Sequence, residues 1–204
     1  MSEKILIYGS YGYTGDLITE LAVGEAARPT LAGRSPDKLE AHAAAHGLPF
    51  KAFALDDPSA VADAIKGFSV VLHCAGPFSR TARPMAEACM KAGAHYLDIT
   101  GEIEVFETMA ALDTKAKDAG VMLMPGTGFD VVPSDCLAAH MKRRMPDAVE
   151  LTLAFQAIGR PSRGTATTMT ENIHKGGAVR RDGKITPVPS AWKTMSIDFG
   201  SGPV

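Results

Sequence analysis

The chain has 204 residues, of which 46% are hydrophobic and 22% charged, and its formal net charge is −2. This is the composition of a globular protein, and so small a charge supplies no field for attracting nucleic acid. No apolar run reaches the roughly 20 residues needed to span a bilayer, and the N-terminus lacks the basic, apolar, small-residue order of a secretory signal, so a cytoplasmic protein is the default expectation.

The first element is an apolar run, Ile5–Tyr8, which reads as a strand. It feeds into Gly9-Ser10-Tyr11-Gly12-Tyr13-Thr14-Gly15, and a helical stretch, Asp16–Val23, follows at once. A strand, a glycine-rich turn and a helix in that order form a dinucleotide-binding entrance. In that reading Gly9 makes the sharp turn, Gly12 leaves room for a pyrophosphate and Gly15 lets the helix approach the strand. The helix start then offers its free N–H groups and positive dipole end to the phosphates. The spacing is Gly-x-x-Gly-x-x-Gly, and a tight turn with no ligand is the plainer alternative.

Thr30–Ala32 is the second strand, and Gly33-Arg34-Ser35 follows it. An acidic residue about 20 positions beyond the glycine turn accepts from the ribose 2′-hydroxyl in NAD-binding chains. Here Arg34 stands in that place. Its guanidinium fork suits a 2′-phosphate, Ser35 adds a hydroxyl, and Lys38 follows one helical turn later. The expected cofactor is therefore NADP(H). A solvated loop arginine is the competing reading.

Further along, Lys51–Ala54, Val70–Cys74, Tyr96–Ile99 and Val121–Met124 read as strands. Pro36–Ala45, Pro58–Lys66, Arg83–Ala92 and Val105–Ala119 read as the helices between them. Ser35 and Asp57 suit N-caps, with Pro36 and Pro58 in the first turns. Gly47, Gly67, Gly93 and Gly120 stand where helices end. Regular strand–helix alternation predicts a doubly wound parallel sheet.

Loops at the strand ends carry the remaining site residues. Cys74-Ala75-Gly76-Pro77 closes the fourth strand, with Gly76 allowing close approach to a ribose or nicotinamide. Asp56 is a candidate partner for the adenine amino group, unless it only caps a helix. Tyr96, Asp98 and Glu102 are candidates for proton transfer or substrate binding, with structural hydrogen bonding as the plainer role. No catalytic residue is assigned.

Other machinery is missing from the sequence. Four residues after Tyr8, Tyr11, Tyr13 and Tyr96 come Gly12, Gly15, Leu17 and Thr100, so no Tyr-x-x-x-Lys pair exists. There is no Gly-x-Ser-x-Gly nucleophile elbow. His42 and His46 stand at helical spacing but outside a His-Glu-x-x-His motif, and are expected to face solvent; no metal site is expected. Cys74, Cys89 and Cys136 are widely spaced, which argues against a disulfide framework or zinc ribbon and suggests buried apolar residues.

After Pro125 the pattern changes. Val132–Met145 reads as a helix, Glu150–Ile158 as an alternating strand, and Gly164–Lys175 as helix-compatible. Lys184–Val188 and Thr194–Phe199 are further possible strands. The expected fold is α/β: a Rossmann-type doubly wound parallel sheet over residues 1–130, then a partial α+β second domain over residues 131–204 that reads as cut short.

The motifs Gly9–Gly15, Ala32-Gly33-Arg34, Cys74–Phe78, His95–Glu102 and Gly128–Asp135 together resemble the saccharopine dehydrogenase-like oxidoreductases, including the branch with trans-acting enoyl reductases. The resemblance covers essentially the whole chain. It implies an N-terminal NADP-binding Rossmann domain, a C-terminal α/β domain closing the cleft, and a junction at Gly128–Asp135. It implies hydride transfer to a small-molecule carbonyl, imine or enoyl substrate. It leaves a homodimer open, and an NADP-binding sensor or scaffold without turnover is the alternative function.

Overall fold

The computed structural model describes residues 4–156, 163–172, 174, 176–200 and 202. Two compact units emerge, Met1–Met141 and Lys142–Val204.

The first unit holds six strands: β1 (Ile5–Tyr8), β2 (Thr30–Gly33), β3 (Phe50–Ala52), β4 (Val70–His73), β5 (His95–Asp98) and β6 (Leu123–Met124). They form one parallel sheet in the order β3-β2-β1-β4-β5-β6. This is the doubly wound order in which the chain leaves β1 in one direction, then returns to build outward from its other edge. Between the strands run α1 (Tyr13–Gly24), α2 (Pro36–His46), α3 (Pro58–Ile65), α4 (Phe78–Ala92), α5 (Ile103–Ala111) and α6 (Asp113–Asp118).

Strand alternation divides the core between the two faces. Leu6 and Tyr8 join Val61, Ile65, Met85, Cys89, Tyr96 and Val105 in one buried cluster, under α3, α4 and α5. Ile7 and Leu31 join Leu39, Ala43 and Leu48 in the other, under α2. Both faces of β1 are thus covered, which is why its residues read as a continuous apolar run.

Local chemistry accounts for most boundaries. The Asp57 carboxylate caps α3 by accepting from the N–H of Ser59 at 2.9 Å and of Ala60 at 3.3 Å. Ser35 occupies the equivalent place before α2, but its side chain makes no capping bond. The expected helix over Val105–Ala119 is two, α5 and α6, separated at Leu112. The helix expected from Arg83 begins five residues earlier, at Phe78, and carries Pro84 inside it. The cause is a long-range cap described below.

A seventh helix, α7 (Val132–Arg144), follows. Cys136 lies on it and is exposed, whereas Cys89 is buried and Cys74 half-buried. The expectation of buried cysteines therefore fails at Cys136, because α7 has no buried residue.

In the second unit, α8 (Arg163–Asn172) is followed by an antiparallel hairpin of β7 (Gly177–Arg181) and β8 (Lys184–Val188). Its tight turn is Asp182-Gly183, both residues with positive φ, +49° and +77°, as a type I′ hairpin turn requires. The strand expected over Glu150–Ile158 does not form over residues 150–156; Ala157 and Ile158 lie outside the described residues. Alternation alone does not make a strand, and among the described residues none pairs with residues 150–156 as a ladder partner. Over Thr194–Phe199 there is only an isolated bridge at Asp198. Among the described residues, no helix is long and apolar enough to cross a membrane.

Candidate functional site

The sequence places its glycine loop at the C-terminal end of β1, between β2 and β4, where the strand order reverses. Gly9 turns with φ of +82°. Its N–H and that of Ser10 donate to the Ala32 carbonyl at 2.7 and 3.3 Å, tying the loop to β2. On the other side, a Cβ at Gly9 would lie 2.9 Å from the Ala75 Cβ and backbone N. Gly9 is therefore required twice, by its backbone angle and by its neighbour.

Gly15 packs so close to the loop that a Cβ would overlap the Gly9 carbonyl oxygen. The helix begins with the Asp16 N–H donating to the Gly12 carbonyl at 2.8 Å. The N–H groups of Tyr13, Thr14 and Gly15 precede that bond and have no helix carbonyl behind them. Gly12 is exposed at the N-cap, and its missing Cβ would meet only the Gly9 oxygen, at 3.2 Å. The Ser10 hydroxyl is buried with no hydrogen-bond partner among the described residues. These are the features of an anion cradle: free N–H groups, an open approach at Gly12 and an orphaned hydroxyl.

Tyr11 crosses to β2. Its phenol oxygen accepts from the Ser35 N–H at 3.2 Å, and its ring lies against Gly33, where a Cβ would come within 2.5 Å of Cε1. Arg34 stands exposed at the end of β2, and Lys38 is exposed on α2. Asp56 is exposed past β3. The Tyr8 phenol, which donates to the Phe53 carbonyl at 3.0 Å, is within electrostatic reach of Tyr11, Arg34 and Asp56; burial chiefly raises its pKa, to about 12. The structure thus gathers Tyr11, Gly33, Arg34, Ser35 and Asp56 at one end of β1–β3.

Cys74-Ala75-Gly76-Pro77 faces the glycine loop from β4. The Cys74 N–H donates to the Tyr8 carbonyl at 2.8 Å. The Thr81 hydroxyl bridges the Ala75 and Pro77 carbonyls at 2.7 and 3.1 Å, and the Gly76–Pro77 peptide is cis. Burial, with the nearby Asp98, pushes the Cys74 thiol up to about 12, so it is no thiolate nucleophile.

The three proton-transfer candidates are held in structural bonds. The Tyr96 hydroxyl donates to Asp98 Oδ2 at 2.6 Å, and burial, reinforced by Asp98, raises its pKa strongly. Asp98 Oδ1 accepts from the N–H of Thr100 and Gly126 at 3.0 and 2.9 Å. Both Thr127 N–H and Thr127 Oγ1 donate to the Asp98 carbonyl at 2.7 Å. Asp98 thereby fastens the loop after β5 to the loop after β6. Glu102 accepts from the N–H of Phe78 and Ser79 at 3.0 and 2.9 Å, capping α4.

Two features escaped the sequence reading. Thr81 shows itself only by standing four residues after a proline at a helix start. His42 and His46, expected to face solvent, lean on Asp16 of α1 and are largely covered. Amphipathic reading missed this because their cover is a neighbouring helix.

Comparison with known proteins agrees with this geometry. Residues 5–124 match the family model described as the saccharopine dehydrogenase NADP binding domain. The chain is 29% identical over 216 aligned residues to a saccharopine dehydrogenase-like oxidoreductase of Homo sapiens, covering 96% of this chain and 46% of that protein. It is 37% identical over 153 residues to a trans-acting enoyl reductase of Mycobacterium ulcerans, covering 69% of this chain and 36% of that one. This chain therefore spans less than half the length of those relatives. Among solved structures, apo saccharopine dehydrogenase (L-Glu forming) of Saccharomyces cerevisiae shares the fold, with a TM-score of 0.62 at 17% identity over 71% of this chain and 32% of that one. With a glycine cradle at the reversal point of a parallel sheet, a basic residue at the end of β2 and a family model matched over the whole of that sheet, the chain belongs to the saccharopine dehydrogenase family and carries its NADP-binding domain.

Proposed function

We propose that this chain is the cofactor-holding part of an NADP(H)-dependent oxidoreductase that passes hydride to a carbonyl, imine or enoyl group of a small molecule. The observation that carries this reading is the cradle at Gly9–Gly15, pinned between Ala32 and Ala75, with Arg34 at the neighbouring strand end. When bound, the cofactor supplies the hydride chemistry.

The chain's own residues bind and orient. Gly9, Ser10, Tyr11, Gly12, Tyr13, Thr14 and Gly15 form the cradle that takes the pyrophosphate, through the N–H groups at the start of α1 and the Ser10 hydroxyl. Arg34, with Gly33, Ser35 and Lys38, takes the 2′-phosphate as a charge-assisted, fork-shaped contact. Asp56 lies on the adenine side. Cys74, Ala75, Gly76 and Pro77 form a wall for the ribose and nicotinamide, kept in place by Thr81 and Glu102. Residues 1–130 serve the cofactor, and residues 131–204 begin the part that meets substrate or a second copy of the chain.

That relatives bear oxidoreductase names supports turnover over the binding-only alternative. The test is a titration of the purified chain with NADPH and with NADH, followed by nicotinamide fluorescence. Saturable NADPH binding with much weaker NADH binding is expected. Equal affinities would overturn the role of Arg34, and binding of neither would overturn the cradle.

A further inference from the structure

Three metal-ligating side chains meet between α1 and α2. Asp16 comes from the first turn of α1, and His42 and His46 from one face of α2 at i, i+4 spacing. The two imidazoles meet edge to face, with centroids 4.8 Å apart. Nδ1 of His42 and Nε2 of His46 each lie 3.5 Å from the same carboxylate oxygen, Asp16 Oδ1. One donor atom from each of the three residues lies within 4.8 Å of the others. The histidine side chains are 10% and 17% exposed, and Asp16 is 48% exposed.

These separations are long for ion-pair hydrogen bonds, which close to about 2.7–2.9 Å. They match neighbouring ligands on a tetrahedral ion instead: metal–ligand bonds of about 2.0–2.1 Å set the ligands about 3.4 Å apart. Two of the three edges already have that length, and the third is no longer than 4.8 Å. The buried Nε2 of His42 has no hydrogen-bond partner among the described residues. Two imidazoles and one carboxylate suit zinc-like ions, and offer too few oxygens for calcium or magnesium.

We propose that Asp16, His42 and His46 form a binding site for a divalent transition metal ion of the Zn²⁺ type, with a fourth position open to water on the exposed Asp16 side. The metal would tie α1, which starts at the glycine loop, to the last turn of α2. Its role is a clasp between helices, separate from hydride transfer.

The test is titration of the full chain with Co²⁺ alone, following the visible absorption that strengthens in four-coordinate sites, and then displacement by Zn²⁺. One saturable equivalent is expected, with a melting temperature that rises with metal concentration as mass action requires. Asp16→Asn keeps the shape of the side chain, and His46→Gln puts a good helix former at a partly exposed position. Each variant should retain the circular dichroism of the parent and bind Co²⁺ at least tenfold more weakly. Absence of a saturable equivalent in the parent, or parent-like affinity in both folded variants, would overturn the site. Neither outcome depends on NADPH binding.

Discussion

The Glu102 carboxylate reaches from the loop after β5 to the N-terminus of α4, where its two oxygens accept from the N–H groups of Phe78 and Ser79 at 3.0 and 2.9 Å. A charged cap at this end also meets the positive pole of the helix. Glu102→Ala should lower stability by about 0.5–2 kcal/mol, the range for losing a cap. It should also loosen the Cys74–Pro77 wall that leads into the helix. A urea melt and an NADPH titration on the same variant measure both effects; unchanged NADPH affinity would confine Glu102 to stability.

Arg34 is the residue on which cofactor choice turns. Arg34→Ala should weaken NADPH binding by roughly 1–3 kcal/mol, the range for a hydrogen bond to a charged group, and leave NADH binding nearly unchanged. The ratio of the two dissociation constants is the readout. Equal losses would place Arg34 outside the 2′-phosphate contact.

Asp98 concentrates more bonding than any other side chain near the strand ends. Its carboxylate is buried and accepts from Tyr96 Oη, Thr100 N–H and Gly126 N–H. Asp98→Ala would orphan three buried donors and should cost at least about 3 kcal/mol at roughly 1–3 kcal/mol each. Asp98→Asn can still accept from the two N–H groups and should cost much less. Chemical denaturation of the pair measures this fastening role; equal losses in both variants would overturn it.

His73 ends β4 wholly buried, among the rings of Tyr8, Phe78 and Tyr96, and neither ring nitrogen has a partner among the described residues. Burial lowers its pKa to about 3. The unfolded chain, with an ordinary histidine near 6.5, therefore binds the proton more readily than the folded one. Stability contributed by keeping the ring neutral is present above pH 6.5 and is lost as pH falls toward 3, at about 1.4 kcal/mol per pH unit. His73→Phe should remove that slope and match or exceed the parent's stability at pH 7, because an unsatisfied buried polar group is gone. Urea midpoints at pH 7 and pH 5 for both proteins decide it.

What could be read from the sequence was what depends on near neighbours. β1 matched its expected bounds, and the order of alternating strands and helices through Met124 was evident from apolar runs, capping residues and glycines. So was the cradle, whose three glycines act within seven residues of each other. What was hidden depends on distant partners. α4 starts at Phe78 because of a carboxylate 24 residues away. His42 leans on Asp16, 26 residues earlier (42 − 16) on another helix. The β7–β8 hairpin was half missed although Asp182-Gly183 is a strong local turn signal. The alternation at Leu151, Leu153 and Phe155 misled because period two records only which side chains share a face.

The Tyr11 ring against Gly33 has a consequence for how such chains vary. Any side chain at position 33 would displace the ring and break its bond to the Ser35 N–H, leaving Gly9 and Ser10 alone to hold the loop to β2 through the Ala32 carbonyl. Positions 11 and 33 therefore form a lock whose halves must change together: a bulky residue at 11 demands glycine at 33, and a larger residue at 33 is admissible only opposite a small one. Gly33→Ala should therefore displace the Tyr11 ring, and pairing it with Tyr11→Ala should relieve the overlap; urea midpoints of the single and double variants measure it.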